Sequence, residues 1–401
     1  MVYNFDNVPS RRDTFSMKWD HFASDVIPLW VADMDFPTAP QIIKDLQQRI
    51  DHGIFGYGRA NETIAQLIVD RCRQNYGWEI KPEWLVWLPN LVTGLHLCAR
   101  SFVDEHESVI CPTPVYHHFP LAAKQSKRAL ISLRWTEKNG RLALDLDGLE
   151  QELKHRDGVL PRLLMLCNPH NPNGHVFSRE ELGELEQFCQ KHKLIVCSDE
   201  IHCDLILDQN ARHTPYASIS EFARDQSVTL MSASKAFNLG GFCSAYAIIP
   251  NPELRERFNQ TREGVVPPPD SLGYVAARAA YQGGEQWHAQ LLDYLRGNHD
   301  YLLHAINEIP GLSMKPLQAT YLAWVNVSSL KLPDPQQFFL DAGVGVSPGS
   351  QFGDNNYVRL NFACSRSLLE KAVVRMATAI ASHNGIESLG VPGCGCPEDK
   401  K

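Results

Sequence analysis

Through the middle of the chain, short runs of apolar and β-branched residues alternate with stretches whose apolar positions recur at helical spacing. Leu163 to Cys167 is one such run and predicts a buried strand, which ends in the loop Asn168-Pro169-His170-Asn171-Pro172-Asn173-Gly174. Ser178 and Glu181 then have the spacing of a capping box, and Leu182, Leu185, Phe188 and Cys189 mark one helical face. Lys191 to Lys193 place positive charge at the helix end, where the dipole favours it. Leu194 to Ser198 predicts the next strand, with Asp199 just beyond it. Val228 to Met231 predicts another, followed at once by Ser232-Ala233-Ser234-Lys235, and Ala245 to Pro250 a further one. Strands alternating with helices predict an α/β sheet, in which ligands gather beyond the strand ends. Asn171, Asp199 and Lys235 each follow a predicted strand closely and so are expected at one site.

The ends of the chain are less regular. The first 40 residues read as an extended arm, and Pro267-Pro268-Pro269 breaks the chain before a helix starting near Ser271. From about Gln286 a long helical stretch precedes strands near Tyr321 to Val327 and Tyr357 to Phe362, which reads as a second, smaller domain. With 401 residues, two or three domains are expected. A net charge of −8 argues against a nucleic-acid partner, which needs a basic face. No apolar run approaches the roughly 20 residues of a membrane span, and Met1 to Asp20 lacks the apolar core of a signal peptide. Eleven irregularly spaced cysteines suit reduced thiols. A soluble cytoplasmic protein without membrane partners is expected.

The residues near the predicted strand ends carry chemistry. A partly desolvated lysine such as Lys235 has a lowered pKa and forms a Schiff base with a carbonyl. A carboxylate such as Asp199 holds a pyridinium nitrogen protonated, which improves the ring as an electron sink. Ser232, three residues before the lysine, is placed to donate to a cofactor phosphate, and Asn171 to a ring hydroxyl oxygen. Taken singly, Lys235 reads as a surface lysine and Asp199 as a helix N-cap. Asp199, Glu200 and His202 do not read as metal ligands, because adjacent acids on an extended segment point to opposite faces. Gly393-Cys394-Gly395-Cys396, flanked by Gly, Pro and terminal charges, reads as a flexible tail rather than a metal or redox site.

The order and spacing of Asn171, Asp199, Ser232 and Lys235 resemble the fold-type I pyridoxal-phosphate enzymes of the class I/II aminotransferase family. The likeness runs over nearly the whole chain and is greatest to the MalY/PatB cystathionine β-lyase branch. It is carried by residues 12–20 (Arg12-Asp13-Thr14-Phe15-Ser16-Met17-Lys18-Trp19-Asp20), Trp30-Val31-Ala32-Asp33-Met34-Asp35-Phe36 and Gly53-Ile54-Phe55-Gly56-Tyr57-Gly58. Ser198-Asp199-Glu200-Ile201-His202 and Ser234-Lys235-Ala236-Phe237-Asn238 complete it; aminotransferases usually carry tyrosine in place of His202. The resemblance implies an aspartate-aminotransferase-like large domain over 45–285, with a mostly parallel sheet. It also implies a smaller α+β domain from 1–44 and 286–401, whose last dozen residues form the tail. Val92 and Thr93, at a helix start, match the phosphate cup, with Ser232 and Ser234. Tyr116 matches the aromatic residue stacked on the ring, and His202 lies among the cofactor contacts. Tyr57 matches a tyrosine that reaches the phosphate from a second subunit, which implies a homodimer with shared active sites. Arg359 matches the arginine that binds the substrate α-carboxylate, with Tyr57 beside it. Two departures stand out: Asn173 replaces a common Thr, and Asn238 to Ala247 lacks the arginine that clamps the phosphate in many aminotransferases.

The implied reaction is β-elimination from cystathionine or a related cysteine S-conjugate, giving thiol, pyruvate and ammonia. Lys235 is then the proton acceptor, with Tyr116 or Tyr57 at the leaving sulfur and pyridoxal 5′-phosphate as cofactor. Transamination, or a regulatory protein that keeps the cofactor site, are the alternatives.

Overall fold

The computed structural model describes residues 2–138, 140–156 and 160–386. Cys394, Cys396 and the expected tail lie outside the described residues. The chain forms two compact units. One comprises Thr38–Ala289 with Gln318–Thr320; the other takes the residues up to Pro37, Gln290–Leu317 and those from Tyr321 onward.

The larger unit is built on eight strands: β1 Leu85–Leu88, β2 Glu107–Thr113, β3 Ala129–Lys138, β4 Arg141–Leu144, β5 Leu160–Cys167, β6 Ile195–Asp199, β7 Ser227–Met231 and β8 Ala245–Ile248. Their order across the sheet is β1-β8-β7-β6-β5-β2-β3-β4. The pairs from β7 to β3 are parallel. β8 runs antiparallel to both its neighbours, and β4 antiparallel to β3. The sheet is thus mostly parallel, as the alternation of strand and helix predicts.

Both faces of the central strands are covered, which explains their continuous apolar runs. Leu163, Met165, Cys167, Ile195, Cys197, Val228 and Leu230 join a core with Leu91, Leu95, Cys98 and Phe102 of the helix Leu91–Phe102. Leu164, Leu166 and Val196 join another with Leu182, Leu185, Phe188 and Cys189 of the helix Arg179–His192. That second helix starts from the expected capping box of Ser178 and Glu181. Asp199 does not lie beyond its strand but is the last residue of β6, in register with Cys167 and Leu230. Its carbonyl accepts the Asn168 amide at 2.9 Å, and the Glu200 amide reaches the Leu230 carbonyl at 2.9 Å, so the ladder continues one residue further than the apolar run. By alternation, Asp199 shares the face of Cys197, and Ser198 and Glu200 share the opposite one.

The helix Leu91–Phe102 approaches the sheet closely at Gly94. A Cβ there would stand 2.8 Å from Leu230 Cδ2 and 3.2 Å from Leu88 Cδ1, both on fully buried side chains. Gly94→Val is expected to destabilise the protein by about 2 kcal/mol or more through overpacking. A lower midpoint in urea denaturation checks this; an unchanged midpoint would contradict the close approach.

In the other unit, Leu322–Asn326 pairs antiparallel with Tyr357–Asn361, and Ser313–Met314 and Ser347–Pro348 flank them. The helix Arg366–Asn384, capped by Ser365, follows. The N-terminal arm makes one short strand, Ile27–Pro28, parallel to Val344–Gly345. Elsewhere in the arm polar side chains replace ladder bonds. Buried Lys18 meets Asp35 at 3.0 Å, Arg11 meets Asp33 at 2.7 Å and Asp35 at 2.8 Å, and the Trp19 indole donates to Asp35 at 2.8 Å. Arg12 donates to the carbonyls of Trp19, Phe22, Ala23, Ser24 and Val26.

Candidate active site

The strands β1, β2, β5, β6 and β7 point the same way, so their carboxyl ends share one edge of the sheet, and five loops leave from it. The loop after β1 opens the helix Leu91–Phe102. Asn90 Oδ1 accepts the Thr93 amide at 2.9 Å and the Thr93 hydroxyl at 3.0 Å, so Asn90 caps the helix. The Leu91 and Val92 amides belong to the helix start, where the dipole favours an anion. This end of the helix covers the sheet face on which Asp199 stands.

The loops after β2 and β5 are tied together, because the Tyr116 amide donates to the Asn171 carbonyl at 3.1 Å. Within the second loop Asn173 is a hub. Its Oδ1 accepts the His175 amide at 3.1 Å and meets His170 Nδ1 at 2.9 Å, while the His170 amide donates to the His175 carbonyl at 2.8 Å. The departure from the common Thr therefore keeps a side-chain oxygen at this position. Neighbouring Asn171 is buried and so held on both sides.

Asp199 is buried, and its Oδ1 accepts the Ile201 amide at 3.1 Å. Burial pushes its carboxyl up to about 7, against the opposing pull of the Ile201 amide and of the Lys235 charge. A buried acid in this condition favours a cationic partner that also donates a hydrogen bond. Lys235 is half-buried in the turn after β7. That turn is braced from within: the Ser232 hydroxyl donates to the Ser244 carbonyl at 2.7 Å and accepts the Ser234 amide at 3.0 Å. The Ser232 proton is thus committed to the backbone. His202 is buried three residues past Asp199, and its carbonyl accepts the Leu205 amide at 2.9 Å.

The structure brings Val92, Thr93, Tyr116, Asn171, Asp199, His202, Ser232, Ser234 and Lys235 to one end of one sheet. It does not bring Tyr57 there, since Tyr57 is fully exposed beside exposed Ile54 and Phe55. Arg359 belongs to the other unit, in the strand Tyr357–Asn361. Its guanidinium donates to the Trp30 carbonyl at 3.0 Å and to Ser347 Oγ at 3.5 Å, and lies 4.6 Å over the Phe352 ring. The Ser347 hydroxyl also donates to the Trp30 carbonyl, at 2.9 Å, so the arginine is held in a fixed orientation. Two sets of contacts lay beyond the sequence reading: the hydrogen bonds of Asn173, marked there only as a departure, and the pairing of Glu200 with His213 at 2.7 Å behind Asp199. Alternation of Ser198 and Glu200 points to the buried acid, but nothing local marks a histidine 13 residues later.

As a donor set, these groups fit a phosphorylated pyridine aldehyde: a helix start for the dianion, an amine for the aldehyde, a buried acid for the ring nitrogen and an aromatic ring near both. Comparison with known proteins agrees with this chemistry. Residues 24–376 match the family "Aminotransferase class I and II". Cystathionine beta-lyase PatB of Bacillus subtilis is 34% identical, over 94% of this chain and 100% of PatB. The crystal structure of OvoB is 46% identical, with a TM-score of 0.91, and covers 95% of this chain and 100% of its own. A PLP-bound C–S lyase from Staphylococcus hominis is 30% identical with a TM-score of 0.87, over 95% of this chain and 98% of that one. With the family matched over most of its length and the cofactor's donor set at its strand ends, the chain belongs to the class I and II aminotransferases, in the MalY/PatB branch of fold-type I pyridoxal-phosphate enzymes.

Proposed function

We propose that this protein is a pyridoxal-phosphate-dependent carbon–sulfur β-lyase that converts cystathionine or a related cysteine S-conjugate, thioether or sulfoxide, to thiol, pyruvate and ammonia. The observation that carries it is the buried acid Asp199, at the end of the central strand and within electrostatic reach of the Lys235 amine. The bound cofactor supplies an electron sink that lets a Cα proton leave and a Cβ–sulfur bond break. Lys235 would hold the cofactor, and its amine would take the Cα proton. Asp199 keeps the ring nitrogen protonated. Tyr116, Asn171 and His202 would hold the ring.

The Val92 and Thr93 turn and the braced Ser232–Ser234 turn would hold the phosphate without an arginine. Because the Ser232 proton is committed to Ser244, backbone amides carry more of that task. Arg359, already oriented by Trp30 and Phe352, binds the substrate carboxylate as a fork. Tyr57 reaches the phosphate and substrate of a second copy. Its full exposure, in one segment with exposed Ile54 and Phe55, supports a homodimer with shared sites. Tyr116 or Tyr57 then assists at the leaving sulfur. Nine cysteines among the described residues are free thiols, which supports a cytoplasmic setting.

The same residues would serve transamination if Lys235 returned its proton to the cofactor carbon. Incubation with cystathionine or an S-alkyl cysteine, with a keto acid present, separates the two. Pyruvate and free thiol in equal amounts are expected. Amino transfer to the keto acid without pyruvate would overturn the lyase assignment.

A further inference from the structure

Glu200 is fully buried on the sheet face opposite Asp199. Its Oε1 accepts the Ser198 hydroxyl at 2.8 Å and the Tyr216 amide at 3.0 Å, and its Oε2 meets His213 Nε2 at 2.7 Å. The His213 side chain is 2% exposed, and its Nδ1 is buried with no hydrogen-bond partner. Its ring stands edge-on to Tyr76, with centroids 5.3 Å apart. Three donors on one carboxyl group suit the ionised, acceptor-only form. A second proton on His213 would sit at the partnerless Nδ1, a costly unsatisfied donor, whereas a bare ring nitrogen there costs less. The pair therefore carries one net negative charge, on the residue adjacent to Asp199. The other ionisable groups around it are Cys72, Cys203, Tyr76 and the Arg71–Asp204 ion pair, whose charges offset one another.

We propose that the Glu200–His213 pair is a positioning device for Asp199. It anchors the end of β6 from behind and places a second fixed negative charge beyond it, which raises the proton affinity of the site as a whole and keeps the one proton shared by Asp199 and the cofactor's ring nitrogen from leaving to solvent. The pair touches neither substrate nor cofactor, so its effect passes through Asp199. This rests on the lyase assignment above and adds a residue pair to it.

Glu200→Gln separates charge from shape, because the amide oxygen still accepts from Ser198 and Tyr216. With pyridoxal phosphate supplied, the variant is expected to keep the visible absorption band of the lysine-bound cofactor and the wild-type melting temperature to within a few degrees. Its kcat should fall roughly tenfold with KM nearly unchanged, and the pH midpoint of the visible band should move down by about half a unit or more. Glu200→Asp, which restores the charge, should return the midpoint toward the wild-type value even where shape is disturbed. Unchanged kcat and midpoint in Glu200→Gln would overturn the proposal, as would equal midpoints in the Gln and Asp variants. Wild-type protein that shows no visible band or releases no pyruvate would instead count against the lyase assignment.

Discussion

Lys235→Ala will release pyruvate from cystathionine at least about 10⁴-fold more slowly than the wild-type chain, the upper range for loss of one general acid–base group. The effect is large because one amine performs two tasks. In the proposed reaction it holds the cofactor before substrate arrives and takes the Cα proton afterwards. The geometry allows both: Lys235 is half-buried on a turn fixed by Ser232, Ser234 and Ser244, so its stem is anchored while the amine keeps its reach. The visible absorption of the holoprotein should disappear in the variant. Retention of more than about a tenth of the wild-type rate would mean that another base acts.

Asp199→Asn should slow the reaction and stabilise the cofactor-free protein. The folded carboxyl titrates near 7, above its ordinary value of 3.8, so the native state binds the proton more tightly than the unfolded chain does. The stabilising contribution of that proton is complete below about pH 4 and is lost as pH rises through 7. Above pH 7 the buried charge costs on the order of a few kcal/mol in the cofactor-free protein. Asparagine keeps the acceptor for the Ile201 amide and carries no charge. The cofactor-free variant should therefore melt at a higher temperature than wild type at pH 8, with the difference gone near pH 4. The same change leaves the ring nitrogen without its anion and should lower kcat about 100-fold, or ~3 kcal/mol of barrier. A variant less stable than wild type at pH 8, or one with full activity, would contradict this role for Asp199.

The central sheet was legible because its strands are covered on both faces and so appear as uninterrupted apolar runs, punctuated by the capping box at Ser178. The one-residue difference at Asp199 arises because hydrophobicity ends at the active-site face while the hydrogen-bond ladder does not. The arm reads as extended because its apolar pattern is irregular. Arg11, Arg12, Lys18 and Trp19 hold it instead through side-chain bonds that have no sequence period. In the sequence Ser232 is marked only by its distance to Lys235, which does not show that its hydroxyl is committed to a carbonyl 12 residues later. The Glu200–His213 pair was invisible for the same reason: a long-range contact between two ordinary side chains leaves no spacing to recognise.

Lys235 is the residue assigned to carry the cofactor, and borohydride reduction of the holoprotein followed by peptide mass mapping tests that assignment. A single phosphopyridoxyl adduct is expected, on the peptide containing Lys235. An adduct on a different lysine, or none in protein that retains its visible absorption, would contradict it.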